Sequence, residues 1–260
     1  MEELVFLSTM NKGIIYYSRL KTDSIILDGC QKQILKSGLP ITSCSTHPID
    51  FGTNVIEPDE SIVGYFKRIL LALETSSADY VFFCEDDILY HPSHFDFEPS
   101  RDDTFYYNTN VWKWNYYNNQ VITYDHQASV SGLCVNRKLA IEFYKRRLKI
   151  IYENEFEKIS THGNPTWARD MGYEPGKHKG SKEPARAEEW RSEYPIIDIR
   201  HTRCTTVPKM TQDSFKIKPV NWQEDVIENL PGWDEPWKLV QDDTDEVERL
   251  RKANFIGRKQ

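Results

Sequence analysis

Tyr80-Val81-Phe82-Phe83-Cys84-Glu85-Asp86-Asp87-Ile88-Leu89-Tyr90 is the stretch on which the reading of this chain turns. Five largely apolar residues with strong strand preference run into three consecutive acids, and apolar character then resumes. A short apolar run bounded in this way reads as a fully buried strand, of the kind found in the middle of a parallel sheet. Three carboxylates at its carboxyl end raise one another's pKa unless something cationic joins them. Ligands of open α/β sheets bind just outside the carboxyl ends of the strands. A divalent metal carrying a phosphate-bearing substrate resolves the charge problem, because Mg²⁺ and Mn²⁺ take carboxylate oxygens and keep substrate phosphates as further ligands. The competing reading is a solvated turn that caps a following helix, where Asp and Glu are favoured. The buried strand before the triplet and the aromatic run after it weigh against that.

Upstream, the pattern is that of a nucleotide-binding half. Residues 3–10 (ELVFLSTM) predict a first strand, with Asn11-Lys12-Gly13 as a turn. Residues 23–37 predict a helix stopped by Gly38-Leu39-Pro40, and residues 41–45 a second strand. Asp59-Glu60-Ser61 supply helix-start chemistry, and Ile62, Phe66, Ile69, Leu70 and Leu73 recur after them at helical spacing. Strand, helix, strand, helix and strand in this order predict a doubly wound sheet.

Downstream, residues 104–114 read as strand plus loop, and residues 120–124 as the return strand of a hairpin turned at Asn118-Asn119. Ala128, Ser129, Ser131 and Gly132 permit close backbone approach to a ligand or a neighbouring strand. A basic amphipathic helix follows over residues 139–152. Residues 161–184 are Gly-, Lys- and Pro-rich and read as an active-site loop or insertion. Residues 187–193 read as one or two helical turns carrying Glu188 and Glu189, and residues 195–199 as a strand ending in Arg200-His201. Residues 205–222, polar and holding Lys209, Lys216 and Lys218, read as a lid, and residues 242–259 as a charge-rich helix with i,i+4 pairing.

The segment YVFFCEDDILYHPSHF (residues 80–95) resembles the signature of GT-A glycosyltransferases: an apolar strand, an acidic D-x-D-type motif, then a proline and a short aromatic-bearing helix. It is most similar to the E-D-D variant in N-acetylglucosaminyltransferase I-like and some family-2-like enzymes. The resemblance implies an α/β fold of GT-A type, with a Rossmann-like, mostly parallel central sheet flanked by helices and a C-terminal lid and helical extension. The implied domain spans residues 1–204, with a nucleotide-binding half (1–100) and an acceptor-side half (101–204), followed by the extension over 205–260.

The same resemblance implies the site. Asp87 holds a Mn²⁺ or Mg²⁺ ion, with His201 returning to it from the C-terminal part. Glu85 and Asp86 face the ribose and donor sugar, and Asp198 or Arg200 supports the metal ligands. Ser8, Thr9 and Asn11 fall where the nucleotide base is contacted, and Arg68 and Lys209 near the donor diphosphate. Trp112, Trp114 and His126 are candidate acceptor walls. Glu188 and Glu189 are candidate catalytic bases, with Asp125 and Asp170 in reserve. The implied activity is metal-dependent, inverting transfer of a sugar from a UDP-sugar to a hydroxyl acceptor. The family-2 stretch Q-x-x-R-W is missing. Glycan, protein, small-molecule and hydroxymethylated-DNA acceptors stay open, the last because of basic residues 145–149 and 177–182. Nucleotidyl transfer and a non-catalytic nucleotide- or carbohydrate-binding module are the alternatives.

A net charge of −7 and a pI near 5.6 argue against a dominant surface for nucleic-acid phosphates. Seven Trp and 13% aromatic residues exclude a disordered chain. Five cysteines without a C-x-x-C pair fit reduced thiols rather than a disulfide framework, and read as small buried hydrophobes with no His beside them. No apolar run approaches membrane-spanning length, so a cytoplasmic protein without a membrane anchor is expected.

Overall fold

The computed structural model describes residues 10–159, 167–168, 173–176, 186–204 and 208–241. Two sheets organise the described chain. The first has seven strands in the order β10-β6-β9-β4-β1-β2-β3. Its strands are β1 (Lys12–Ser18), β2 (Ile41–Ser45), β3 (Thr53–Ile56), β4 (Tyr80–Cys84), β6 (Thr104–Asn108), β9 (Leu133–Asn136) and β10 (Arg186–Trp190). Strands β3, β2, β1 and β4 run parallel, β9 runs antiparallel to both of its neighbours, and β10 runs parallel to β6. The result is a mixed, mostly parallel α/β sheet.

Side-chain alternation shows why this sheet is buried on both faces. From β1, Ile15 and Tyr17 enter one core while Ile14 and Tyr16 enter the other; from β4, Val81 and Phe83 divide from Phe82 and Cys84 in the same way. The first core lies under helices α2 (Ile62–Thr75) and α3 (Arg137–Glu153), whose Phe66, Ile69, Leu73, Phe143, Tyr144 and Leu148 are buried there. The Ser61 hydroxyl accepts the Gly64 N–H and caps α2, and the Asn136 side chain accepts the N–H groups of Lys138 and Leu139 and caps α3. Such a cap contributes about 1 kcal/mol.

The opposite face carries helix α1 (Ser24–Leu35) and the second sheet. This five-stranded sheet has the order β12-β8-β7-β11-β5, built from β5 (Ile88–Leu89), β7 (Val111–Asn115), β8 (Gln120–Thr123), β11 (Ile196–Arg200) and β12 (Gln223–Val226). Its core joins Ile26 and Cys30 of α1 to Trp114, Val121, Ile197, Ile199, Ile227, Leu230 and Val240. The boundary expected at residue 204 therefore falls inside a continuous sheet, because β12 hydrogen-bonds to β8 across it.

Several sequence expectations change. Asn11-Lys12-Gly13 is not a turn: Lys12 and Gly13 pair with Tyr80 and Val81 at the start of β1. Of the strand expected over 3–10, only Met10 lies within the described residues, and it is not in a strand. Residues 186–190 form a strand rather than helical turns. Backbone pairing to β6 supplies the hydrogen bonds that Arg186-Ala187-Glu188-Glu189-Trp190 does not advertise through any apolar alternation. Among the described residues, no helix is long and apolar enough to cross a membrane.

Candidate active site

The strand order reverses at β1 and β4. The chain leaves β1 toward β2 on one side, and β4 lies on the other, so a crevice opens between their carboxyl ends. The acidic triplet stands in it. Each acid is held differently. Glu85 accepts the Tyr17 hydroxyl at 2.9 Å, and its backbone N–H donates to the Tyr90 hydroxyl at 3.1 Å. Asp86 accepts the hydroxyls of Ser18 and, at 3.1 Å, of Thr22. The Asp87 carbonyl accepts the Ile199 N–H at 2.9 Å, tying the end of β4 to β11.

Burial, with the Asp87 charge beside it, pushes Glu85 up to about 8 and Asp86 up to about 6. The triplet is thus an electrostatically frustrated cluster that a cation relieves. At its edge His201 is 1% exposed and its Nε2 has no hydrogen-bond partner. That nitrogen lies 3.6 Å from Asp87 Oδ2. Burial alone would lower the His201 pKa, but the neighbouring Asp87 and Cys204 outweigh it and push it up to about 10. Ligand atoms of Asp87, His201 and Cys204 all lie within 4.8 Å of one another. An orphaned buried imidazole nitrogen beside a carboxylate and a thiol is a donor set that fits a divalent metal.

A cleft of about 990 Å³ opens over this cluster. Alternation along β11 decides what enters it: Asp198 and Arg200 line the cleft, paired at 3.0 Å, while Ile197 and Ile199 face the core. The same rule corrects the expectation for β7. Lys113 lines the cleft, whereas Trp114 is fully buried in the core and Trp112 packs against it, so neither tryptophan is an acceptor wall. His126 does line the cleft, and its Nδ1 lies 3.1 Å from Glu189 at the end of β10. Glu188 instead pairs with Arg186 at 2.9 Å. Asp125 is bonded by Asn221 at 2.7 Å and is not among the cleft-lining residues.

The expected phosphate-side residues divide. Lys209 lines the cleft, its ammonium 4.9 Å from the Phe215 ring centre. Arg68 is buried, donates to the carbonyls of Glu57 and Asp59, and borders a recess of about 100 Å³ shared with Asp86 and Asp87. Asn11 lies at the amino end of β1 and donates to the Ser77 carbonyl, at the opposite end of the sheet from the triplet. Ser8, Thr9, Asp170, residues 177–182 and the helix expected over 242–259 lie outside the described residues.

Cys204 is what the sequence reading missed. Four cysteines are buried as expected, but Cys204 is half-buried and lines the cleft. It accepts the His201 N–H at 3.3 Å, so a histidine does stand beside it. The H-x-x-C spacing of His201 and Cys204 was the available signal. Ala128, Ser129 and Ser131 line the cleft where close approach to a ligand is expected of their small side chains, and Arg19 and Lys21, which complete it, carry no such expectation.

Fold and site together define a mixed α/β protein with a carboxylate-, imidazole- and thiol-bearing cleft at the switch point of its main sheet. No protein-family model matches the sequence, and a comparison with curated proteins gives no match. Among solved structures, the chain is similar to a glycosyltransferase involved in the glycosylation of the major capsid of PBCV-1. That likeness has 9% identity and a TM-score of 0.44, covering 75% of this chain and 94% of the other.

Proposed function

We propose that this chain is a metal-dependent glycosyltransferase of GT-A type, acting on a nucleotide-sugar donor, UDP-linked, and a hydroxyl acceptor. The observation that carries the reading is the meeting of Asp87, which lines a cleft beyond the carboxyl ends of β1 and β4, with His201, buried behind it at 3.6 Å. Asp87 and His201 would hold a divalent cation. Bound there, such an ion neutralises the diphosphate of the leaving nucleotide. Lys209 and Lys21 line the same cleft and offer further positive charge to the phosphates, and Arg68 adds its charge from beneath. The triplet acids Glu85 and Asp86, fixed by hydroxyls of Tyr17, Ser18 and Thr22, present a rigid polar edge to ribose and sugar hydroxyls.

The chemistry is inverting. The acceptor oxygen attacks the anomeric carbon, the bond from that carbon to the diphosphate breaks, and the nucleoside diphosphate leaves with the electron pair. A carboxylate takes the acceptor proton. Glu189 suits this role better than Glu188, because its partner His126 lines the cleft while Glu188 is paired with Arg186.

A thermal-denaturation panel of nucleotides with and without Mn²⁺ tests the reading. Stabilisation by UDP plus Mn²⁺, followed by sugar transfer from labelled donors to a panel of acceptors, is the expected result. Preference for nucleoside triphosphates would instead favour nucleotidyl transfer, and binding indifferent to metal would favour a non-catalytic module.

A further inference from the structure

We infer that Cys204 is a thiolate ligand of the same metal and that it makes the site a three-ligand Asp–His–Cys centre selective for Zn²⁺ or Co²⁺ over Mg²⁺. The inference rests on the metal-site reading of Asp87 and His201, and not on the identity of donor or acceptor.

The geometry is the first support. Cys204 Sγ lies 3.8 Å from Asp87 Oδ2, and His201 Nε2 lies 3.6 Å from that oxygen. With metal bonds of about 2.0–2.3 Å, neighbouring ligands of a tetrahedral ion stand about 3.3–3.8 Å apart, whereas octahedral neighbours stand about 2.8–3.3 Å apart. The two separations from Asp87 fall on the tetrahedral side, and all three ligand atoms lie within 4.8 Å of one another. Three protein ligands also leave the fourth position open, and Cys204 and Asp87 both line the cleft from which a substrate oxygen would arrive.

The second support is independent of the thiol. His201 Nε2 is buried without a partner and aimed into the cluster. A structural imidazole in such a place would be expected to spend that nitrogen on a hydrogen bond. The third is chemical: thiolate selects softer ions than carboxylate alone, and a hard ion such as Mg²⁺ gains little from it.

Binding has a proton balance. The Cys204 thiol releases its proton to solvent as the metal–sulfur bond forms, and the proton on His201 Nε2 leaves likewise as the metal–nitrogen bond forms. For Nε2 to ligate, the one proton left on the imidazole must sit on Nδ1, which lies 3.3 Å from the Arg203 backbone nitrogen. Two donors then face each other, so the turn from His201 to Cys204 adjusts when the ion enters.

The test is titration of the wild-type protein with Co²⁺, followed by absorption spectroscopy and calorimetry. A near-ultraviolet thiolate-to-cobalt charge-transfer band is expected, absent in Cys204→Ser, with Co²⁺ affinity weakened at least about tenfold. Cys204→Asp should regain affinity without regaining the band, which separates loss of a ligand from loss of folding. A readout needing no variant is alkylation. The other four cysteines are buried, so iodoacetamide should label Cys204 first, and Zn²⁺ should protect it. Calorimetric Co²⁺ binding without the band, with alkylation unaffected by Zn²⁺, would overturn the role of Cys204 and leave the Asp87–His201 site standing. No Co²⁺ binding at all would overturn both.

Discussion

Asp87 and His201 meet at 3.6 Å because two backbones are tied together beneath them: the Ile199 N–H donates to the Asp87 carbonyl, and β11 then delivers His201 past the end of β4. The contact joins the central strand of the first sheet to the second sheet. Any ion held there bridges the two layers, so metal binding and stability are linked.

That linkage gives the first prediction. A cation present at a hundred times its Kd adds about 2.7 kcal/mol, which corresponds to roughly 5–10 °C in Tm for a chain of this size. Asp87→Asn and His201→Gln should each abolish the gain with Mn²⁺ and lower turnover more than tenfold, on the order of what metal-site changes cost. Thermal scans with and without Mn²⁺ check it; variants that keep the full wild-type shift would place the ion elsewhere.

Glu189 and Glu188 provide the second. Glu189 faces His126 across the cleft rim, and Glu188 pairs with Arg186 away from it. Glu189→Gln should lower kcat by about 10²–10⁴ with KM for the donor little changed, the usual scale for losing a general base. Glu188→Gln should stay within a few-fold of wild type. Both residues sit on the edge strand β10, so Tm should hardly move in either variant. Equal activity losses would reject the assignment.

His94 gives a pH prediction. It is fully buried among Phe82, Tyr90, Phe95 and Trp190, with its Nδ1 3.0 Å from Asn108 Nδ2. Burial pushes its pKa down to about 3. The unfolded chain takes up this proton below about pH 6.5, while the folded protein refuses it until near pH 3, so stability falls as pH falls through that window. The slope attributable to His94 is at most about 1.4 kcal/mol per pH unit. His94→Phe, which preserves the ring contacts, should flatten the acid limb of urea unfolding by that much; an unchanged limb would sink the assignment.

Gly29 tests how the C-terminal turns dock on α1. A Cβ added there would lie 2.1 Å from the Leu239 carbonyl oxygen and 2.6 Å from Val240 Cγ1. In an exposed helix, Gly→Ala gains about 1 kcal/mol. Here Gly29→Ala should instead cost about 1–3 kcal/mol through overpacking. The sign, read by denaturant unfolding, decides whether residues 236–240 pack against this helix.

Much of this fold is legible because its signals are local. The Ser61 cap and the spacing of Phe66, Ile69 and Leu73 mark α2, and the apolar runs of residues 80–84 and 196–199 mark buried strands. Strand β10 is not legible, since an edge strand held by backbone bonds to β6 needs no apolar side chains of its own. The direction of Trp114 is likewise hidden: it turns on which face of β7 meets α1 and the C-terminal turns, and that face is chosen by the whole second sheet.

By itself, the sequence determined that a buried strand ends in three consecutive carboxylates, because covalent neighbours cannot separate and burial of Tyr80–Cys84 follows from their own apolarity. Only the tertiary structure decided what faces those carboxylates. The pairing of β11 with β5 and β7 brings His201 and Cys204 to Asp87, and such pairing is chosen by packing across two sheets rather than by any property of the residues that meet.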